Sequence, residues 1–555
     1  MFCYHCQEAK KNKACDTTGI CGKKAPLSSL HDLLVYVLKG LSFYAVKARE
    51  QGIVQPRLDQ FTAQALYATV TNVNFDNAEF VRLISEAVQR RNALCKELLA
   101  VYQQQDSTFE ENPPEEALWQ YEAIDEAAFI KLGETLTVPS LEGDNKDYHC
   151  LRETLIYGVK GLAALIEHSL VLGYEDKAFY DFIHQALDFS LTEHSLEEAL
   201  AMNLRCGELG LKAMALLNKA NTEIFGHPVP TKIHTDVWDK PAILVSGHDL
   251  QDIEELLEQT AGTGIDVYTH GEAVVAHAYP KFKKFFNLVG NYGGAWQDQK
   301  NQFAKFNGAL LVTTNSLQQA KKTYLEKLFT TGMVGWDAIP HIADRKSKQP
   351  KNFAALIEQA KQNPPPTLLT ENTITTGYGL QSLLALKDEI ASAIQAGAIK
   401  RLIVIAGCDG RHKERRYYTQ LAESLPEDCV ILTCGETKYR FNNLELGEIN
   451  GIPRLLDAGQ SNDFYALITF LQALQKTLGA ANLNAMPVSF NIAWYEQKTI
   501  VMFLALLDLG VKNVRLGPTL PPFFDEDILT MLTEKYALKG IDTVEADIEA
   551  MLAGE

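Results

Sequence analysis

Apolar positions fall into two textures along the chain. From residue 27 to about 225 they recur at helical spacing. In 27–48, LSSLHDLLVYVLKGLSFYAVKA, the residues Leu30, Leu33, Leu34, Val37, Leu38 and Leu41 share one helix face. A second such stretch is 151–173, LRETLIYGVKGLAALIEHSLVLG. At an offset of 121, VYVLKGL at 35–41 meets IYGVKGL at 156–162. The same offset sets Ala65 and Leu66 on Ala186 and Leu187, Phe75 on Leu196, Asp76 on Glu197, and Ala78 on Ala199. A constant offset predicts a duplicated helical bundle. The polar stretch 106–121, with Pro113 and Pro114, predicts a loop between the copies.

From Pro241 the texture changes. Short apolar runs at 242–246, 265–269 and 309–314 alternate with helical stretches such as 249–260. NPPPT at 363–367 marks a boundary, and a second series follows at 402–407, 429–434, 486–491 and 513–517. Strands alternating with helices predict parallel sheets. The fold class expected is multidomain: an all-α N-terminal domain of two duplicated bundles (1–225), then two α/β Rossmann-like domains (226–382 and 383–555).

Polar groups able to bind a metal follow the expected strands or sit in nearby turns. They are His248, Glu272 beyond His270, Ser316, Cys408, Glu436, Ser461 and Glu496. Strand ends feeding Gly-bearing loops are where open α/β sheets place their chemistry. If the two sheets face each other, these groups meet in one crevice. Three carboxylates, an imidazole and a thiol buried together are each costly when ionised and uncompensated, and a bound cation is the simplest compensation.

A second constellation lies at the start. Cys3, Cys6, Cys15 and Cys21 have the pattern C-x2-C-x8-C-x5-C. Four thiolates within so short a span suit zinc or an iron–sulfur cluster, and the spacing leaves both open. Cys95 and Cys206, within helical patterns, read as bystanders. The 555 residues suggest about three or four domains. A net charge of −18 argues against nucleic-acid and anionic-membrane partners. The chain shows no apolar run of about 18 residues and no secretory leader, so a cytoplasmic location with reduced cysteines is expected. No Walker-type loop occurs.

The sequence resembles the hybrid-cluster protein (prismane) family, known as hydroxylamine reductase. The likeness spans the whole chain: the cysteine quartet, GHDL at 247–250, GTGIDVYTHGE at 262–272, NYGGAW at 291–296, AGCDGR at 406–411, KYRFN at 438–442, GIPRLLDAGQ at 451–460 and WYEQK at 494–498. The resemblance implies a [4Fe–4S] cluster on the quartet. It also implies an iron–sulfur–oxygen cluster at the domain junction, held by one His, two Glu and four Cys, one a persulfide. Here the His is His248, the Glu pair is Glu272 and Glu496, and the persulfide position is Cys408. The other three cysteine positions carry Ser316, Glu436 and Ser461; nearby Cys434 is not placed as a ligand.

Loss of three thiolates favours a harder, oxygen-rich site. The expectation is a second iron centre, either an altered hybrid cluster or a dinuclear iron site. Its chemistry would be reduction of hydroxylamine or a related nitrogen oxide, with electrons relayed through the quartet from a donor protein. Glu436, Tyr495 and Lys498 are candidate proton donors, with Glu496 beside them. Two alternatives are an oxygen- or peroxide-reducing carboxylate-bridged centre and a non-catalytic redox or nitric-oxide sensor.

Overall fold

The computed structural model describes residues 1–136, 146–314, 317–346 and 349–555. Ser316 therefore lies outside the described residues. Eight helices build the amino-terminal half: α1 Ala25–Glu50, α2 Pro56–Ala68, α3 Asn77–Gln104, α4 Glu115–Leu118, α5 Glu126–Thr135, α6 Lys146–Val171, α7 Lys177–Phe189 and α8 Leu196–Phe225. Both ends of α6 and α7 are those of α1 and α2 moved by 121 residues. The third helices differ. Asp76 caps α3 through Ala78 N–H, whereas a capping box of Ser195 and Glu198 starts α8 two residues earlier than the offset predicts.

The glycine shared by the two KGL motifs is used in both copies for close approach. A Cβ on Gly40 of α1 would sit 2.0 Å from the Glu116 carbonyl oxygen, so α4 rests directly on α1. The expected loop at 106–121 thus contains a one-turn helix, held also by Arg91, which donates to the Glu116 carbonyl at 2.8 Å. On α6 a Cβ on the equivalent Gly161 would lie 2.5 Å from the Gln497 carbonyl oxygen, and Gly207 and Gly210 of α8 meet Leu504 and Val501 as closely. The helix Gln497–Asp508 is seated in this notch. The second bundle therefore fixes the residues immediately before that helix. By length and hydropathy α6 passes for a membrane span, but 83% of its apolar window is buried inside the fold, so it is a core helix.

The remaining strands are β1 Thr231–His234, β2 Ala242–Ser246, β3 Asp266–His270, β4 Leu288–Asn291, β5 Ala309–Val312, β6 Leu328–Thr331, β7 His341–Ile342, β8 Thr373–Thr376, β9 Arg401–Gly407, β10 Cys429–Cys434, β11 Glu448–Ile449, β12 Ile452–Pro453, β13 Leu455–Asp457, β14 Val488–Ala493 and β15 Arg515–Gly517. One parallel sheet has the order β4-β3-β2-β5-β6-β7, the other β13-β10-β9-β14-β15. β1 and β8 pair antiparallel, as do β11 and β12. In each sheet the first strand, β2 or β9, is central, and later strands add on both sides. The carboxyl ends of β2 and β9 are therefore the topological switch points, where such sheets open a crevice.

Candidate metal centre

Both switch points feed one small cavity. His248 follows β2 and Glu272 follows β3 in the first sheet. Cys408 follows β9, Glu436 follows β10 and Glu496 follows β14 in the second. These five line a common void with Thr71, Asn72, Trp296, Tyr495 and Lys498. The void is about 10 Å³ for the centre of a water-sized sphere, room for about one such sphere. Glycines let the strands end this abruptly. Gly407 has φ +119°, and a Cβ there would lie 2.3 Å from the Ala493 carbonyl oxygen. Gly435, at φ +82°, passes equally close to Gly407.

Each ligating candidate is held by named partners. His248 Nε2 lies 3.0 Å from Glu272 Oε2 and 3.1 Å from Lys498 Nζ. Its other nitrogen, Nδ1, is 3.0 Å from Thr314 Oγ1, which also accepts from His248 N–H at 2.7 Å. That contact orients the ring, as a partner on the far nitrogen does for metal-bound histidines. Ser461 donates to Glu272 Oε2 from both its N–H (2.7 Å) and its hydroxyl (3.0 Å). Ser461, expected as a ligand, is engaged by Glu272 and is not among the residues lining the void. Glu496 caps the helix Gln497–Asp508 with Oε2 on Lys498 N–H at 2.9 Å, and its Oε1 is 3.7 Å from Cys408 Sγ. Glu436 Oε2 accepts from Trp296 N–H at 3.2 Å. Cys434 faces the Ser461 carbonyl at 3.9 Å and belongs to the core. His270 is structural, bonded to Ser246 and Gln302.

The electrostatics divide these groups. Burial works against ionisation of Glu272, but His248, Lys498 and the Ser461 N–H outweigh it and hold the carboxyl well below its usual range. His248 is pushed below the usual imidazole value, first by burial and then by Lys498, with Glu272 working the other way. Burial raises Glu496 and, with Glu272 nearby, lifts Glu436 well above the ordinary carboxyl value. It lifts the Cys408 thiol likewise. A cation would reverse these shifts on Glu436, Glu496 and Cys408. Among the described residues no three His, Cys, Asp or Glu side chains stand as a finished cage. His248 and Glu272 are turned on each other and on Lys498.

The amino-terminal quartet is brought together by a tight loop. Cys3 and Cys15 pair through backbone hydrogen bonds of 3.0 and 2.8 Å. Cys21 follows Gly19, where a Cβ would crowd its sulfur at 2.9 Å. Burial raises the thiols of Cys3, Cys6 and Cys21, and the charges of their fellow cysteines raise them further. Gln7 N–H donates to the Tyr495 carbonyl at 2.9 Å, and Arg411 pairs with Glu8 at 2.6 Å, so the loop is tied to the last domain. Cys6 packs against a buried group made of Trp296, Tyr495 and Cys408. The rings of Trp296 and Tyr495 lie 4.4 Å apart, and Asn72 donates to the Tyr495 hydroxyl at 3.2 Å. One aromatic pair therefore separates the quartet from the second site. Spacing in the sequence gave no hint of Asn72, Thr314 or Trp296. The positive φ of Asn72 (61°), in a helix-breaking TNVN stretch, is the one local signal.

A family model described as the Prismane/CO dehydrogenase family matches residues 1–549. The chain belongs to this family. It is 47% identical over 558 residues to a protein named hydroxylamine reductase from Halothermothrix orenii, with all of each chain covered. It is also 47% identical, again over the full length of both, to the hydroxylamine reductase of Nitratidesulfovibrio vulgaris. A carbon monoxide dehydrogenase structure from Thermococcus sp. AM4 superposes with a TM-score of 0.54 at 15% identity, covering 100% of this chain and 90% of that one. Carbon monoxide dehydrogenase IV from Carboxydothermus hydrogenoformans gives 0.56 at 14%, covering 99% and 92%. At those identities the shared property is the fold.

Membership in this iron–sulfur redox family sets a fit test for both sites. The quartet of this prismane-family chain fits by donor chemistry: four thiols on one tight loop, three of them buried, suit an iron–sulfur cluster, although among the described residues no three of them stand as a finished cage. The second site does not fit the sulfur-rich cluster that the resemblance implies. At two of the three positions where the resemblance implies a cysteine, the structure shows a carboxyl and a hydroxyl already engaged, Glu436 on Trp296 and Ser461 on Glu272. The donor set that remains is His248, three carboxyls and one thiol, which suits iron ligated mainly by oxygen and nitrogen.

Proposed function

We propose that this chain is an iron–sulfur oxidoreductase of the hydroxylamine-reductase kind, with a second metal centre poor in sulfur and best met by two irons. The observation that carries this reading is the convergence of His248, Glu272, Cys408, Glu436 and Glu496 on one void at both sheet switch points. The proposed division is 1–225, 226–382 and 383–555, with the first part a duplicated helical unit and the second centre at the junction. The 382/383 boundary falls inside the helix Leu380–Ala385, which packs on Phe464–Leu478 of the last domain. The proposed location is the cytoplasm.

The proposed reaction consumes hydroxylamine, two electrons and two protons and yields ammonia and water. Cys3, Cys6, Cys15 and Cys21 would hold a [4Fe–4S] cluster that accepts electrons from a donor protein. Iron at the second site, when bound, supplies Lewis acidity toward the substrate oxygen. Trp296 and Tyr495 fill the space between the two sites and exclude water from it. Glu436, whose Oε2 accepts from Trp296 N–H, stands at the void as a group that can hand on a proton. Lys498 places its Nζ 3.1 Å from His248 Nε2. Ser461 fixes Glu272, and Thr314 fixes His248.

The test is anaerobic turnover with a reduced dye and hydroxylamine, nitric oxide or peroxide in parallel. Hydroxylamine consumption that Glu272→Ala abolishes supports the reading. Peroxide as the sole substrate would move the assignment to a peroxide-reducing centre. Turnover of none, with nitric-oxide binding untouched by Glu272→Ala, would favour a sensor.

A further inference from the structure

The chain carries a net charge of −18, yet the loop that holds the quartet is basic. From Ala9 to Lys24 there are five lysines and a single acid, Asp16, which Lys10 already holds at 3.0 Å. Lys11, Lys13 and Lys24 are exposed. So is Ile20, the neighbour of Cys21, at 51%. Cys6 is half-buried, so the quartet lies just under the surface here.

The two α/β parts bring more positive charge to the same place. A Cβ on Gly22 would lie 3.0 Å from the Gln319 Cβ, and exposed Lys321 and Lys322 follow Gln319 closely. Lys321 donates to Asn301 at 2.9 Å, on the helix Gln299–Phe306 that also carries Lys300. Arg411 donates to the Ile20 carbonyl at 3.2 Å. Burial and the charges of Arg411 and Lys321 push Lys300 down, while Cys21 acts on it in the opposite sense. The ion pairs around the loop are Lys10–Asp16, Arg411–Glu8 and Lys413–Glu414. Among the described residues Lys11, Lys13, Lys24, Lys300, Lys321 and Lys322 stand in none. Like charges gathered without acids repel one another, and an anionic surface laid on them removes that repulsion. A partner with an acidic surface is repelled by a chain of this net charge as a whole and drawn to this face.

We propose that the basic face around Ile20 is where a small electron-carrier protein with an acidic surface docks to feed the quartet. The proposal rests on the function given above, in which a cluster on the quartet takes electrons from a donor protein. One electron leaves the reduced carrier and enters the oxidised cluster. No bond is made or broken.

The test is anaerobic stopped-flow reduction of the cluster-loaded chain, read by the cluster's absorbance. Two reductants are compared: a small [2Fe–2S] protein chosen for its acidic surface, and a reduced viologen dye. One variant combines Lys24→Glu, Lys300→Glu and Lys321→Glu. The control combines Lys96→Glu, Lys131→Glu and Lys232→Glu, on α3, α5 and β1. Unfolding curves confirm that each folds; Lys322→Glu replaces Lys300→Glu if half-buried Lys300 proves needed for folding. The second-order rate constant with the acidic carrier is expected to fall about tenfold or more in the variant, and in the parent between about 20 and about 300 mM salt. Dye reduction, and carrier reduction of the control, should stay within about twofold of the parent. Calorimetric titration with the oxidised carrier, which needs no electron transfer, should show binding that the variant weakens about tenfold. Carrier rate and binding that the variant leaves unchanged, with the dye still reducing the cluster, overturn the docking face and leave the proposed function standing. An equal loss in the control also overturns the face, since net charge would then govern encounter. Binding that the variant weakens, in a chain whose quartet neither reductant reduces, keeps the face and overturns electron entry through the quartet.

Discussion

Ser461→Ala should loosen the second metal while sparing the first cluster. Glu272 Oε2 accepts from Ser461 N–H at 2.7 Å and Ser461 Oγ at 3.0 Å, and lies 3.0 Å from His248 Nε2. The substitution deletes the hydroxyl and keeps the N–H. A hydrogen bond to an ionised group contributes about 1.5–3 kcal/mol. If that energy serves to aim Glu272, its loss weakens metal binding about 10- to 100-fold, the range found when an outer-shell partner of a ligand is removed. The assay is anaerobic competition for iron(II) against a chelator, on protein whose quartet is already loaded. The cluster's absorbance is the internal control, since the Trp296–Tyr495 pair stands between the two sites. An unchanged iron affinity with intact folding would refute the reasoning, because Glu272 would then be no ligand or would need no aim.

Three further outcomes are expected. Gly407→Ala forces a side chain onto φ +119° and against the Ala493 carbonyl, which should cost about 3 kcal/mol or more in a urea unfolding series and lower second-site iron with it. Burial lifts Glu167 to about 7, so the folded chain keeps a proton that the unfolded chain gives up above about 4.5. Its contribution to stability is therefore greatest at low pH and declines as pH rises toward 7, by up to about 3 kcal/mol, and Glu167→Gln should gain on the parent progressively between pH 4.5 and 8. Returning thiols at all three changed positions (Ser316→Cys, Glu436→Cys, Ser461→Cys) should raise acid-labile sulfide above that of the quartet cluster alone; sulfide that stays at the quartet's level would count against the donor-set argument.

Much of the scaffold was legible because its hydrophobic periods are unambiguous. The runs at 242–246 and 429–434 are strands with those bounds, since β-branched residues buried on both faces leave little alternative. The strands at 288–291, 328–331 and 373–376 were not anticipated, being short and partly polar. The 121-residue offset reappears in the helix ends, but the sequence could not say that Gly40 and Gly161 admit different partners, because that depends on tertiary neighbours. Strand-end logic picked out His248, Glu272, Cys408, Glu436 and Glu496, and the structure brings these five to one void. That logic could not tell a ligand from the residue that aims one. Ser461 was expected as a donor because it stands where the resemblance puts a cysteine, and the structure shows its hydroxyl on Glu272 at 3.0 Å, a contact that depends on tertiary neighbours. Trp296, Asn72 and Thr314 come from loops distant in sequence that meet only when the domains close.

The most direct measurement is Mössbauer spectroscopy with elemental analysis on chain expressed with iron-57 and purified without air. The account predicts iron beyond the [4Fe–4S] cluster, about two per chain, in a high-spin component with the large isomer shift of oxygen and nitrogen ligation. Glu272→Ala should remove that component and spare the cluster signal. Iron accounted for entirely by one [4Fe–4S] cluster, in protein never exposed to oxygen, would contradict it.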